Sequence, residues 1–432
     1  MPSPRRSAAR LFPWHYAWAV AGIAFLAMLF AAGVRAVPAV LMVPLEAEFN
    51  WDRTVVSAGV ALNILLFGLC GPFAASVMER VGMRAMMIGG LVVMACAVAA
   101  ATAIQTAWQF TLVWGLVVGI GSGVIAGWVA AAVANRWFVA RRGLVVGLLT
   151  AANATGQLIF LPILAAIAGG PGWRISLLLV VACLLVILPL VAIGMRERPG
   201  DLGLRAYGAP STWWPPPSLA RVNLFLGALR TLASGLRHRD FLLLAGTFFI
   251  CGASTNGLVG THLISHSIEH GIAPVAAASF LSIVGIFDIV GTIASGWLTD
   301  RFDSRLLLAW YYGLRGISLV FLPQAYEAGL TGLTIFAIFY GLDWVATVPP
   351  TVQLTAAIFG RERVATHFAW IVASHQIGAA AIAYLAGLSR VWQGNYGLAF
   401  LVSGLLCLLA AWMATRIARG ASAPVATSPA AA

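Results

Sequence analysis

Five ionisable side chains lie near the middle of long apolar runs and are the first candidates for chemistry in this sequence. They are Arg35, Asp288, Arg315, Asp343 and His375. A charged side chain at the centre of a bilayer costs at least about 2.5–3.5 kcal/mol, so residues in such positions are rare and usually functional or paired. We therefore expect each of them to bind a substrate, to carry a proton or to neutralise another charge.

Arg35 and Asp288 have the side chains best suited to an anion and to a proton. The guanidinium of Arg35 can hold a carboxylate through two parallel hydrogen bonds and stays charged at physiological pH. The alternative for Arg35 is a structural pair with an acid on a facing helix. The carboxyl group of Asp288 can carry a coupling proton, as intramembrane acids do in proton relays. Its alternative is a permanent ion pair with Arg35 or Arg315.

Asp343 and His375 each allow a transport role and a structural one. Asp343 lies shortly before Pro349-Pro350, so it marks a polar point in a broken helix. It could take part in proton coupling, or it could pair with Arg315 on the adjacent run. His375, with Gln376 beside it, could donate hydrogen bonds to an anion or act as a pH switch. The alternative is a satisfied buried histidine.

Further polar side chains on the apolar runs could complete a binding pocket. We expect four amides to take part in substrate binding: Asn63, Asn153, Gln157 and Asn256. Three histidines are spaced by four residues and therefore share one helical face: His262, His266 and His270. This spacing allows a metal site, but a polar cluster at one mouth of the protein is the favoured interpretation, and we predict neither a bound metal nor a cofactor.

The composition is that of a membrane protein. The sequence is 61% hydrophobic and 9% charged, whereas soluble domains carry about 25% charged residues. All 26 basic residues are arginine, and they lie in short segments between apolar runs. The net charge of +12 therefore indicates membrane topology and not a nucleic-acid partner. The sequence has no nucleophile elbow, phosphate loop or metal-ligand spacing, so we predict that it is not an enzyme.

Twelve apolar runs are long enough to cross a bilayer as helices, since about 20 residues span its hydrocarbon core. Arginine is concentrated on the side that holds both chain termini, and the other side holds only Arg53, Arg174 and Arg390. The positive-inside rule then places both termini in the cytoplasm, and we call the other side the outer face. The approximate bounds of the runs are 16–43, 55–77, 83–103, 107–135, 143–168, 173–194, 241–268, 275–299, 305–325, 329–358, 364–388 and 395–416.

The longest polar break divides the chain into two halves. We predict an N-terminal six-helix half over 1–194, a cytoplasmic linker over 195–240, a C-terminal six-helix half over 241–418 and a disordered tail over 419–432. The linker could carry a short amphipathic helix around Leu219–Leu236 that lies on the membrane surface.

Both halves carry the same charged motif after their second apolar run. The motif contributes Glu79, Arg80 and Arg84 in the first half, and Asp300, Arg301 and Arg305 in the second. A carboxylate that pairs with arginine and with the N-terminus of a neighbouring helix could hold the cytoplasmic side shut. We predict that these six residues form a cytoplasmic gate. The alternative is that the arginines only follow the positive-inside rule.

The repeated motif resembles the loop signature of the major facilitator superfamily. Three stretches are similar to its monocarboxylate-transporter and oxalate/formate-exchanger branch: Gly71-Pro72 with the motif that follows it, the stretch Trp137–Gly147, and the region of Trp14 and Trp18. The resemblance implies an all-α polytopic membrane protein with twelve transmembrane helices in two pseudo-symmetric six-helix halves. It also implies a central cavity lined by spans one, four, seven and ten and flanked by two, five, eight and eleven.

The resemblance also implies where a site would lie. Arg35 is close to the position where the monocarboxylate family has a substrate-binding lysine, and Asp288 matches the aspartate of its eighth span. The family's arginine four residues later is missing here, and His375 stands where the oxalate/formate branch has a lysine. By this resemblance these three residues and Asp343 can face the cavity, whereas Arg315, on the peripheral ninth span, cannot.

These features predict a secondary transporter that takes up a small monocarboxylate-like anion with a proton by alternating access. Arg35 would bind the carboxylate, Asp288 and Asp343 would serve proton coupling, and His375 would be a polar contact. The alternative is a proton-driven exporter of apolar or cationic compounds, in which the two aspartates bind the cation. A sensor or lipid-handling protein without turnover is a third class. We expect a monomer in a bacterial inner membrane, with small-molecule substrate, protons and lipid as partners.

Overall fold

Helices make up nearly all of the regular structure in the computed structural model, which describes residues 15–125, 128–210, 224–299, 301–360 and 364–418. A helix satisfies its own backbone hydrogen bonds, as a chain of this composition must do in lipid. Within the described ranges there are sixteen helices, numbered here in chain order: α1 Tyr16–Phe49, α2 Arg53–Val81, α3 Met83–Ala101, α4 Ala107–Val124, α5 Trp128–Trp137, α6 Arg142–Gly169, α7 Trp173–Gly194, α8 Leu224–Gly235, α9 Arg239–Glu269, α10 Pro274–Thr299, α11 Ser304–Val320, α12 Leu322–Glu327, α13 Gly329–Asp343, α14 Val348–Phe359, α15 Val364–Gln393 and α16 Gly397–Thr415.

Length and hydropathy make the chain a multi-pass membrane protein. Within the described ranges, ten helical segments are long and apolar enough to cross a bilayer, with α13 and α14 counted together as one segment. The two remaining predicted runs are helical as well: 143–168 lies in α6, and 305–325 lies in α11 and α12. α11 misses the length of a full span because it has 17 residues.

Three of the helices predicted to line a cavity depart from regular α-helical geometry. α4 contains a π-helical segment at Thr111–Val118, and α9 contains another at Ala253–Val259. Residues 344–347 interrupt the helix between α13 and α14. Single π-helical segments and helix breaks are frequent at functional sites, because they redirect side chains and free backbone groups.

The two sets of helices approach each other most closely along α2 and α15. A Cβ atom on Gly68 would lie 2.2 Å from the Cβ of Gln376, and one on Gly387 would lie 2.1 Å from the hydroxyl of Ser57. The absence of a side chain at both glycines therefore lets the two helices touch. A second contact joins α10 to α6, where the Ser282 hydroxyl donates to the carbonyl of Leu158 at 3.3 Å.

The linker contains one described helix, α8, at Leu224–Gly235. The amphipathic helix expected around Leu219–Leu236 overlaps it, and residues 211–223 lie outside the described part of the chain. The carbonyl of Ala228 in α8 accepts a hydrogen bond from the indole N–H of Trp370 in α15 at 2.9 Å. The linker helix is thereby attached to the second set of helices.

Glycine at 291 should be required for the contact between α10 and α13. A Cβ there would lie 1.9 Å from the carbonyl oxygen of Leu342, a backbone atom that cannot rotate away. We expect Gly291→Ala to lower the free energy of unfolding by about 1–3 kcal/mol, the usual cost of overpacking. Thermal unfolding of the purified protein measures this. Gly296→Ala on the same helix, with open space around the added Cβ, is the control, and equal melting temperatures for the two variants would contradict the prediction.

Candidate functional site

A central cavity of about 60 Å³ lies between the two sets of helices. This space exceeds what one water molecule needs and suits a small ligand. Most of its wall is apolar, with one charged residue and three amides among the polar contributors. The lining residues are Arg35, Ala36, Pro38, Ala39, Val60, Asn63, Ile64, Phe67, Leu161, Asn256, Gly260, Thr261, Leu281, Trp344 and Gln376.

Arg35 is the charged residue of the cavity lining, and no acid pairs with it among the described residues. Its guanidinium carbon lies 4.6 Å from the centroid of the Phe67 ring. A cation above an aromatic face is attracted by the ring, which partly offsets the cost of removing the charge from water. The guanidinium of Arg35 forms no hydrogen bond among the described residues, and its expected alternative as the partner of a facing acid has no counterpart in the described part of the chain.

The amides of the cavity come from three helices. Asn63 donates to the Trp114 carbonyl on α4 at 2.7 Å, which fixes its orientation. Asn256 lies in the π-helical segment of α9, and Gln376 lies on α15 with 6% of its surface exposed. Asn153 and Gln157 lie on α6, but their side chains are outside the described part of the structure.

His375 does not line the cavity, although its neighbour Gln376 does. Successive residues on a helix point about 100° apart, so one residue decides which side chain reaches the cavity. The ring of His375 packs instead against Phe248, with 5.1 Å between centroids, and lies beside Gly252. Gln376 is a site residue that the sequence reasoning placed beside His375 but did not select.

Asp343 is paired with Arg315 beside the cavity and does not line it. The Nε of Arg315 donates to Oδ2 of Asp343 at 2.7 Å, and both side chains are buried. Nη1 of Arg315 donates to the sulfur of Cys251 at 2.9 Å. Asp343 was expected either to take part in proton coupling or to pair with Arg315, and its contacts are those of the ion pair. Its second oxygen, Oδ1, is buried with no hydrogen-bond partner among the described residues.

Asp288 is also buried beside the cavity, on α10. Its Oδ1 accepts hydrogen bonds from the hydroxyl of Thr292 at 3.0 Å and from the backbone N–H of Val345 at 2.9 Å. Among the described residues it forms no ion pair with Arg35 or with Arg315. Asp288 therefore does not line the cavity. It contacts Val345, which follows the lining residue Trp344 in the sequence.

The described part of the structure includes the side chains of three of the six residues of the predicted cytoplasmic gate, Arg84, Arg301 and Arg305. The side chains of Glu79 and Arg80 and all of Asp300 lie outside the described part. In the first half the acid at the N-terminus of α3 is Glu197, which accepts the backbone N–H groups of Met83 and Arg84 at 2.8 Å each. Glu197 also accepts from Arg136 at 2.9 Å. A carboxylate at a helix N-terminus is favoured by the helix dipole.

In the second half, the acid that pairs with Arg305 is Asp303, two residues before it. Nη2 of Arg305 donates to Oδ2 of Asp303 at 2.6 Å, and Nη1 donates to the carbonyl of Ile417 at 3.2 Å. Arg301 stays local as well: it donates to the Trp297 carbonyl at 3.0 Å and lies above the Trp297 ring. Among the described ion pairs, none connects these arginines to the first set of helices.

An ionic cluster at the outer face joins the two sets of helices, and it could not be predicted because its charges are far apart in the sequence. Arg53 on α2 binds Glu46 of α1, donates to the hydroxyl of Tyr396 at 2.5 Å and lies 3.4 Å from Glu269 of α9. Glu269 also accepts from Arg390 of α15 at 2.9 Å. We call these five residues the outer cluster, and 8% of Arg53 remains exposed within it.

The three spaced histidines lie beside the outer cluster. His262 uses both ring nitrogens: Nδ1 is 3.1 Å from the Tyr396 hydroxyl, and Nε2 is 2.9 Å from the carbonyl of Ala383. The ring of His266 stacks on Phe400, and that of His270 stacks on Tyr326. Within the described residues, no group of three or more His, Cys, Asp or Glu side chains is arranged to hold a metal ion.

Comparison with known proteins gives the same family for most of the chain. The profile of the Major Facilitator Superfamily matches residues 23–353. The chain is 28% identical over 399 residues to monocarboxylate transporter 13 of Rattus norvegicus, which covers 91% of this chain and 87% of that protein. It is 24% identical over 356 residues to the uncharacterized MFS-type transporter YcxA of Bacillus subtilis (strain 168), which covers 80% of this chain and 82% of that one.

Solved structures share the arrangement of the helices. A D-xylose–proton symporter superposes with a TM-score of 0.73 at 16% identity, covering 94% of this chain and 99% of its own. The inward-open xylose transporter XylE from E. coli gives a TM-score of 0.71 at 14% identity, covering 94% and 98%. At these identities the likeness concerns the fold alone.

The buried Arg315–Asp343 pair should be required for stability. Removing one partner leaves an uncompensated buried charge, which typically costs about 3–5 kcal/mol. We expect Asp343→Leu to lower the melting temperature strongly. The double variant Arg315→Met with Asp343→Leu should recover only the part of the loss that comes from the unpaired charge, because the carbonyls of Asp343 and Trp344 then lose their donor. The control is Arg174→Gln, because the Arg174–Glu48 pair is largely exposed and such pairs contribute about 0–1 kcal/mol. A single Asp343→Leu variant as stable as this control would contradict the ion pair.

Proposed function

Because its family profile matches most of its length, this chain belongs to the Major Facilitator Superfamily, and we propose that it carries a small organic anion of the monocarboxylate type. It is a multi-pass membrane transporter and not an enzyme. The observation that carries the proposal is the guanidinium of Arg35, which faces the central cavity with no acid paired to it among the described residues. A cation left without a counter-charge in such a place is best explained by an anionic ligand.

The cavity offers one end for a carboxylate and a larger surface for an uncharged tail. Arg35 would hold both carboxylate oxygens, and the amides of Asn256 and Gln376 can donate further hydrogen bonds. The aromatic and aliphatic side chains of Phe67, Leu281 and the other apolar lining residues would contact the tail. A single cation among the described lining residues favours one carboxylate over two. The printed names of the monocarboxylate-transporter relatives agree with this choice.

We assign the coupling proton to the buried acids of the second half. Two carboxyl groups, Asp288 and Asp343, lie near one guanidinium, Arg315, so one carboxyl lacks a counter-charge in this group. Asp343 is held by the ion pair, which leaves Asp288 as the residue proposed to gain and lose the proton. Its hydrogen bond to Val345 connects it to the cavity wall. Proton symport with an anion would then keep the transported charge neutral.

The outer cluster supports alternating access between the two halves. Arg53 and Glu46 belong to the first half, whereas Glu269, Arg390 and Tyr396 belong to the second. Their contacts join the two halves on this side, so they would have to separate before a substrate could enter from it. We propose that the protein acts as a monomer that alternates between this state and an outward-open one.

An exporter of cationic compounds fits the cavity less well. Both aspartates that would attract a cation lie outside the cavity lining, and the charged side chain that does line it is Arg35. A cationic substrate would therefore meet a like charge. The apolar lining is compatible with export of an apolar compound, which would need no contact with Arg35.

Replacing Arg35 should weaken anion transport. In proteoliposomes with an inward proton gradient, we expect Arg35→Gln to raise the KM for radiolabelled pyruvate or benzoate about 10- to 100-fold, since a hydrogen bond to a charged group contributes about 1.5–3 kcal/mol. Arg35→Lys should lose less, because it keeps the charge but not the bidentate geometry. Arg174→Gln, far from the cavity, serves as the control. Unchanged uptake in Arg35→Gln would rule out the proposed role.

Breaking the outer cluster should shift the protein towards an outward-open state. We expect Arg53→Gln to increase about tenfold the rate at which a membrane-impermeant maleimide, added outside, labels a cysteine placed at the cavity residue Ile64 in a background without the five native cysteines. Arg53 loses charged hydrogen bonds between the halves, each of about 1.5–3 kcal/mol. Arg174→Gln removes an outer ion pair that lies within the first half and should not change labelling. Equal rates in both variants would show that Arg53 does not hold the outer face closed.

A further inference from the structure

The break between α13 and α14 lies inside a membrane-spanning segment and leaves backbone groups without helical partners. Residues 344–347 are not α-helical, and α14 begins again at Val348. Free N–H and C=O groups in hydrocarbon each cost several kcal/mol unless the protein supplies a partner. The way in which these groups are satisfied therefore determines whether the break can hold one conformation.

Three side chains from two neighbouring helices form hydrogen bonds with backbone groups at the break. Arg315 of α11 donates to the carbonyls of Asp343 and Trp344 at 2.5 and 3.2 Å. Asp288 of α10 accepts the N–H of Val345 at 2.9 Å. Ser295, about two turns further along α10, donates to the carbonyl of Ala346 at 2.5 Å. We call Asp288, Ser295 and Arg315 the backbone clamp.

The clamped segment carries Trp344 into the wall of the central cavity. The indole packs edge-on against Tyr340, with 5.6 Å between ring centroids, and faces Gly260, where an added Cβ would lie 3.6 Å from the ring. Bonds to the carbonyl of Trp344 itself and to the N–H of the next residue fix the direction in which this side chain leaves the backbone.

We propose that the backbone clamp positions Trp344 and thereby sets the shape of the substrate site, so that Ser295, Asp288 and Arg315 act on substrate through Trp344 without touching it. This inference rests on the proposed function only in treating the central cavity as the substrate site. It gives Arg315 and Ser295 a role in positioning Trp344, although neither residue lines the cavity. It also connects the acid assigned to the coupling proton with the wall of the cavity through one backbone hydrogen bond.

The first test measures the break itself and needs no substrate. Hydrogen–deuterium exchange of the full-length protein should be about fivefold faster in peptides covering 343–348 for Ser295→Ala, because one intramolecular hydrogen bond contributes about 1 kcal/mol. Ser279→Ala is the matched control, since the Ser279 hydroxyl donates to the carbonyl of Val275 in its own helix and not to the break. Exchange that is equal in the two variants would overturn the clamp.

The second test separates a positioning role from a merely structural one at Asp288. Asn keeps an acceptor oxygen for the Val345 N–H, whereas Ala does not. We expect Asp288→Ala to accelerate exchange over 343–348 to a similar extent as Ser295→Ala, and Asp288→Asn to leave it close to that of the unmodified protein. If Asp288→Asn exchanges as fast as Asp288→Ala, charge rather than the bond to Val345 holds the segment, and the clamp as described is wrong.

The third test asks whether the effect reaches substrate through Trp344. We expect Ser295→Ala to raise the KM for pyruvate about fivefold with little change in kcat, and to have no further effect in a Trp344→Ala background. Additive effects would overturn the connection through Trp344. If the unmodified protein takes up no pyruvate or benzoate, the proposed function fails, but the exchange measurements still decide whether the clamp exists.

Discussion

The cost of leaving a charge or a backbone dipole without a partner in hydrocarbon governs the arrangement of this protein. In the second half, this cost is met by mutual satisfaction: Arg315 neutralises Asp343, and the same guanidinium binds the carbonyls that the break after α13 sets free. Asp288 accepts an N–H of that break. Arg35 differs from these residues, because among the described residues its guanidinium forms no hydrogen bond or ion pair and lies above the Phe67 ring. The account of substrate binding depends on this difference.

The two halves therefore make unequal contributions to the cavity. The first half supplies the cation of the cavity, held above Phe67 on α2, and the second half supplies a broken helix that Asp288 contacts from outside the lining. The broken helix brings Trp344 to the same cavity that Arg35 lines. Anion binding and the proposed proton site are thus separated in space but connected through a short backbone segment. At the outer face, Arg53 holds the halves together while the cavity lies between them.

Hydropathy and arginine placement were sufficient to predict a helical multi-pass membrane protein. Both signals can be read from short stretches of sequence: an apolar run must be long enough to span the bilayer, and the arginines lie in the segments that flank it. Pro349-Pro350 also signalled the break near Asp343. Pairings between distant residues could not be predicted in this way: Arg53 meets Tyr396, and Glu197 caps α3, only because the fold brings separate helices together. Whether His375 or Gln376 lines the cavity depends on how the helix is rotated about its axis. The sequence does not specify this rotation, because the helix is apolar on several sides.

The most direct test of this account is a structure of the protein with a bound monocarboxylate such as benzoate. The account predicts the carboxylate in the central cavity, with both oxygens at hydrogen-bond distance, about 2.7–2.9 Å, from the guanidinium of Arg35, and with the ring against the apolar wall that includes Trp344. A structure in which the ligand binds elsewhere while Arg35 pairs with a carboxylate of the protein would contradict it.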